Sequence, residues 1–286
     1  MRAILILLLA ASVGPAAAQF YLGRILNKTI ETTKKFQEAN KEFSTDDEIA
    51  LGNGVTAGVR GATRLHSDQT LQRYVNRIGK WVAMHSDRAD LPWSFGVMDT
   101  ETVNAFAMPG GSVLVSHGLV KRLANEAELA GVLAHEIAHV VMKHQLSAIQ
   151  STLNSDVWSS LGKDAAGQAI GRRGGDTFGL KNAAASAGVE AVKSGVFLRP
   201  LDRGMEYDAD RMGVVLAARS CYDAYGLVAV LSMLAQVKGD GSGAAIFDTH
   251  PAASDRIAEL EGFMARLGDR LASLPQVEGR FKQVVK

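Results

Sequence analysis

The chain has 286 residues, 47% of them hydrophobic, and a formal net charge of +1. That length can bury one substantial core, as one large domain or two small ones, and near-neutrality gives no electrostatic ground for nucleic-acid binding. The single cysteine, Cys221, excludes an intrachain disulfide and reads as a small core residue rather than a nucleophile.

The opening "MRAILILLLAASVGPAAAQF" carries one basic residue, an apolar run from Ala3 to about Val13, then Pro15 and Ala16-Ala17-Ala18. This is the layout of a cleavable secretory signal. The apolar run holds roughly 11 residues where a spanning helix needs about 20, so cleavage after Ala18 is expected, with Gln19 as the first mature residue. No cysteine near that point offers a lipid anchor. An exported, soluble, periplasmic protein without a membrane span follows as the expectation.

From Arg24 to Phe43, Leu26, Ile30, Phe36 and Phe43 recur at roughly helical intervals among lysines, which predicts an amphipathic helix packed on the main domain. "STDDEIALG" opens a second helix, with Ser44 or Thr45 as cap and acids in its first turn. A third carries Leu71, Val75, Ile78 and Val82 on one face. Pro92 ends the helical stretch, and "WSFGVMD" and "GGSVLVSHG" read as short strands with "VNAFAMPGG" between them.

Asn125 with Glu128 three residues on forms a capping-box pattern, so the helix in "NEAELAGVLAHEIAHVVMKH" starts near Asn125. Residues 151 to about 198 are rich in Gly, Ala and Ser and read as helical segments joined by mobile loops, with a lid as one use. A helix resumes after Pro200, another covers about Asp223 to Lys238, and "PAASDRIAELEGFMARLGDRL" supplies the last.

The chemistry lies in His-Glu-Ile-Ala-His at residues 135 to 139. Side chains four apart on a helix share a face, so His135 and His139 can aim imidazole nitrogens at one ion, and Glu136 sits one residue round, within reach of a water on that ion. This is the H-E-x-x-H zinc pattern with the glutamate as general base. At this chain's own His and Glu frequencies a chance match has a probability of about one in a hundred. Ile137, Ala138, Val140 and Val141 make the helix apolar on most sides, which argues against two freely solvated histidines.

A catalytic zinc keeps three protein ligands and one open position. In "RPLDRGMEYDADRMGV", Glu206 and Asp210 are four apart and share a face, while Asp208 points away and Met205, Ala209, Met212 and Leu216 form a buried stripe. Alone, that pattern is a solvated helix face. Beside the zinc motif, it reads as Glu206 the third ligand and Asp210 the acceptor that orients a ligand imidazole. One zinc ion per chain is expected.

"HEIAH", then "EYDAD", together with "NAFAMPGG" and "THPAASDRI", resembles the gluzincin metallopeptidases of the HtpX heat-shock protease and CAAX prenyl protease family, and within it the exported, soluble BepA-like and LoiP-like branch. The likeness runs from about Ser44 to Leu271. It implies His135, His139 and Glu206 as zinc ligands, Glu136 as base, Asp210 behind a ligand, and Asn104 and Ala105 on the rim that meets substrate. It also implies an α+β fold that is predominantly α-helical, with a small β-sheet beside the H-E-x-x-H helix. The expected organisation is a signal over 1–18, an N-terminal helix over 19–43, a zinc peptidase domain over 44–275 containing the lid region, and a tail over 276–286. The BepA pattern continues into a tetratricopeptide domain, which is not expected within these 286 residues.

The expected reaction is endopeptidic hydrolysis, because the G-x-M-E-N run of gluzincin aminopeptidases is absent. An edge strand in "NAFAMPGGSVLVS" can hold an extended substrate backbone. Expected substrates are unfolded or misassembled envelope proteins, with the outer-membrane assembly machinery as a family-implied partner. The rival is a chaperone-like or binding protein with structural zinc. His250, fixed by Pro251, has two functional readings that stay open: donor to the oxyanion, or, as the BepA likeness implies, a resting fourth zinc ligand; the plain alternative is a loop histidine that only caps the next helix.

Overall fold

The computed structural model describes residues 44–152, 200–237, 250, 253–267 and 274–285. The expected signal, the helix read over 24–43 and most of the region read as a lid lie outside them. The described residues from Thr45 onward form one packed unit.

Helix α1 (Thr45–Ala62) begins with Asp46, Asp47 and Glu48, acids that suit the positive end of the helix dipole. Helix α2 (Gln69–Ala83) is capped by Asp68, whose side chain accepts from the amides of Thr70 and Leu71. Its stripe of Leu71, Val75, Ile78 and Val82 is buried, as the spacing predicts.

Three strands follow: β1 (Ser94–Met98), β2 (Ala105–Met108) and β3 (Ser112–Ser116), in the order β1-β3-β2. β3 runs parallel to β1 and antiparallel to β2, with Ala105 opposite Val115. The β2–β3 turn uses Gly110 at φ 79° and Gly111 at φ 103°, a region where a side chain would be strained. Its Gly110 amide donates to the fully buried Glu48, 3.1 Å away. Glu48 also accepts a two-pronged bond from Arg88 at 2.9 and 2.9 Å, and Arg88 reaches the Val140 carbonyl at 3.1 Å. One ion pair therefore ties α1, the strand turn and the end of the next long helix together.

After the short α3 (His117–Val120) comes that helix, α4 (Glu126–Val141), which holds the two histidines. Asn125 caps it, accepting from the Glu128 amide at 3.0 Å, while the Glu128 carboxylate accepts from the Ala124 amide at 2.7 Å and from the Asn125 side-chain amide at 3.3 Å. Every residue from Ala127 to Val140 except Glu128 is buried. Leu129, Leu133 and Ile137 are completely enclosed, each side chain stabilising the helix by about 1.5–3 kcal/mol.

Helices α5 (His144–Thr152), α6 (Arg203–Arg219), α7 (Tyr225–Val237) and α8 (Ala253–Leu267) surround α4 and its neighbours. α6 makes the most extensive contact with α4. Gly213 permits this approach: a Cβ there would sit 3.1 Å from the His135 amide nitrogen and 3.2 Å from its Cα. None of the described helices is long and apolar enough to cross a membrane.

Two expectations meet a different structure. Cys221 is exposed, not in the core, because it occupies the turn after α6 at φ 62°. The segment from 276, read as a tail, carries helix α9 (Glu278–Val284), anchored by Phe281 at 2% exposure. Arg280 of α9 donates through Nε to Glu126 at 2.6 Å and also through its terminal nitrogen. Tyr74 and Tyr222 donate to the same carboxylate at 2.5 and 2.6 Å. Burial alone would push the Glu126 carboxyl up, but Arg280 and the two hydroxyls more than offset it and hold the group below its ordinary range.

Candidate metal centre

α4 projects His135 and His139 toward each other, with their Nε2 atoms 3.0 Å apart. α6 brings Glu206 against them: its oxygens lie 3.6 Å from His135 Nε2 and 3.4 Å from His139 Nε2. His250 completes the group, with Nδ1 2.7 Å from Glu206 Oε2. One potential ligand atom from each of these four side chains falls within 4.8 Å of the others. All four are buried.

The chemistry of this cluster fits a divalent zinc ion. Neutral imidazole nitrogens and an ionised carboxylate are the forms that ligate. Burial, the largest influence, drives the His139 imidazole well below its usual range and so keeps it neutral. Burial opposes ionisation of Glu206, yet His250, His139 and His135 outweigh it and hold the carboxyl well below the usual range. Glu206 Oε1 and Glu136 Oε2 are both buried and lack a hydrogen-bond partner among the described residues. Two such carboxylate oxygens facing one cluster need a positive group to offset their desolvation.

Glu136 is 1% exposed, and burial is the main cause that raises its pKa above the ordinary carboxylate value. That is the direction of shift that a general base needs. Asp210 accepts from His135 Nδ1 at 2.9 Å, which leaves Nε2 of that ring with its lone pair directed inward. The Asp210 carboxyl is disfavoured by burial but held down at about 2 by Arg256, whose Nε and terminal nitrogen fork it at 2.8 and 2.6 Å.

Of the rim residues, Ala105 lines a cavity of about 20 Å³ with His135, Glu136, Leu231, Leu234 and His250. Asn104 is buried, and its side chain accepts from the Ala105 amide at 2.9 Å. It therefore supports the start of β2 rather than lining that cavity.

Two residues near the centre escape a reading of the sequence. Arg256 is 4% exposed although it sits on an amphipathic helix, and its charge is met by Asp210 and Glu206, both on α6, at 2.6 and 3.4 Å. His144 closes the run that begins at Asn125, and its Nδ1 lies 2.9 Å from His139 Nδ1. Its spacing, five residues beyond His139, is not one that a helical face would pair.

A helix bearing His-Glu-x-x-His, met by a glutamate from a second helix beside a small sheet, defines a gluzincin-type zinc metallopeptidase domain. The profile of peptidase family M48 matches residues 69–264, more than half of the chain, and the chain belongs to that family. It is similar to the beta-barrel assembly-enhancing protease of Yersinia pestis, 30% identical over 224 residues covering 77% of this chain and 44% of that one. The Escherichia coli (strain K12) protein of the same name is 28% identical over 222 residues, with the same coverage. The mitochondrial metalloendopeptidase OMA1 of Schizosaccharomyces pombe is 30% identical over 195 residues, 67% of this chain and 52% of that one. The chain thus spans about half the length of the curated relatives it matches.

Proposed function

We propose that this chain is a zinc-dependent endopeptidase of the cell envelope that hydrolyses unfolded or misassembled proteins. The observation that carries the reading is the convergence of His135, His139, Glu206 and His250 on one buried point, with Glu136 beside it. His135, His139 and Glu206 hold the ion. Zinc bound there supplies Lewis acidity toward a peptide carbonyl and brings the pKa of a water to about 7.

Glu136 takes a proton from the attacking water through its unpartnered Oε2 and delivers it to the leaving amine nitrogen. Asp210, neutralised by Arg256, keeps the His135 proton on Nδ1. Asn104 and Ala105 set the start of β2, one of the two outer strands of the sheet, along which an extended peptide backbone is held. The signal-like N-terminus supports a periplasmic setting, peripheral at the outer membrane, and the bacterial relatives' name, beta-barrel assembly-enhancing protease, supports the outer-membrane assembly machinery as partner. The test is casein cleavage by the purified protein. Cleavage is expected to stop on removal of zinc with a chelator and to return on its replacement; a zinc-loaded protein inert toward unfolded chains would overturn the reading.

One observation favours the rival, a binding protein with structural zinc: four potential ligands stand around the site, and structural zinc sites are closed by four. A structural zinc predicts no cleavage by either the wild type or His250→Ala; within the peptidase reading, His250 has two roles to separate. If it is a removable fourth ligand, His250→Ala speeds peptide hydrolysis; if it donates to the oxyanion, His250→Ala slows it by about a hundredfold or more. Peptidase rates at saturating zinc separate these outcomes, and a rate equal to wild type would deny His250 both roles.

A further inference from the structure

We propose that His144 is a positioning residue for the metal centre: its Nδ1 accepts the proton of His139 Nδ1 and so fixes the ring in the form whose Nε2 can ligate. The two Nδ1 atoms are 2.9 Å apart, both side chains are buried, and the rings meet edge to face with centroids 5.1 Å apart. The inference rests on the assignment of His139 as a zinc ligand.

Two proton arrangements satisfy that contact. In one, His144 donates and His139 Nδ1 accepts, which leaves the His139 proton on Nε2, pointing into the cluster 3.0 Å from His135 Nε2. Such a ring offers the ion no lone pair. In the other, His139 donates from Nδ1 and its Nε2 lone pair faces Glu206 and His135, as ligation requires. Binding of the ion therefore selects the second arrangement, and an acceptor already in place at His144 favours it beforehand.

The backbone delivers His144 to this position by a turn rather than by helical spacing. α4 ends at Val141, Lys143 adopts φ 58°, and α5 starts at His144. That left-handed residue turns the chain back so that the first side chain of α5 lies behind the last ligand of α4. The centre then has matched supports: Asp210 holds His135 Nδ1 from α6, and His144 holds His139 Nδ1 from α5.

Zinc affinity of the metal-free protein, measured by competition with a chromophoric chelator, tests the proposal without reference to activity. His144→Ala is expected to weaken zinc binding about 10- to 100-fold. His144→Asn sets an amide oxygen close to the place of Nδ1 and is expected to restore most of that loss. His144→Phe keeps a ring in edge contact but no acceptor, and is expected to stay as weak as alanine. A phenylalanine variant at wild-type affinity with a weak asparagine variant would reduce His144 to packing, and three variants at wild-type affinity would remove it from the site; either overturns the proposal. Should the alanine variant fail to fold, the asparagine and phenylalanine variants decide alone. His139→Ala is measured in parallel: if it too binds zinc like wild type, the fault lies in the ligand assignment and not in the support behind it.

Discussion

Glu136→Gln is expected to keep its zinc and its fold while casein cleavage falls by about 10² to 10⁴. The side chain is 1% exposed in the middle of α4, and the amide has nearly the same shape, so the packing around it is preserved. What changes is basicity: an amide oxygen cannot take the proton of the attacking water. Because that proton moves only as the carbonyl is attacked, kcat should fall while KM stays near wild type. Cleavage within tenfold of wild type, at equal zinc content, would show that another group is the base. Cells carrying this variant would also accumulate the natural substrates, which a proteomic comparison with active protein would identify.

Glu206→Ala should have the larger effect on the metal itself. Its carboxylate is the one negative group among the four converging side chains, and it is completely buried. Its loss leaves only neutral imidazoles to face a divalent cation, so elemental analysis of the dialysed variant is expected to find almost no zinc. Full occupancy would hand the third place to His250, and the double variant with His250→Ala would then lose the ion.

Much of this centre is legible in the sequence because its geometry is local. The four-residue spacing of His135 and His139, the cap at Asn125 and the unbroken apolar surroundings place two imidazoles on one buried helical face. Glu206 and Asp210 follow from the same spacing on α6. What spacing does not reveal is set by partners distant in sequence. Arg256 looks like an ordinary solvated position until Asp210, 46 residues away, takes its charge. α9 has seven residues and one enclosed side chain, too little periodicity to mark a helix, and it is held by a carboxylate on α4. His144 depends on the left-handed conformation of Lys143, which a lysine does not announce. Residue type alone places Cys221 in the core, but its turn position exposes it.

The Glu126 cluster bears on the order in which the molecule is assembled. Its carboxylate begins the helix that carries the metal motif, and its cation arrives 154 residues later. Contacts so far apart in the chain close late, since the intervening loop must lose its freedom before they form. Until α9 docks, Glu126 is left with two phenols and no positive charge, and the first turn of α4 is secured only by its cap. The start of the helix that carries the metal motif is therefore completed by a segment 154 residues further along, so a chain in which that segment has not yet docked holds Glu126 as a buried charge without its cation.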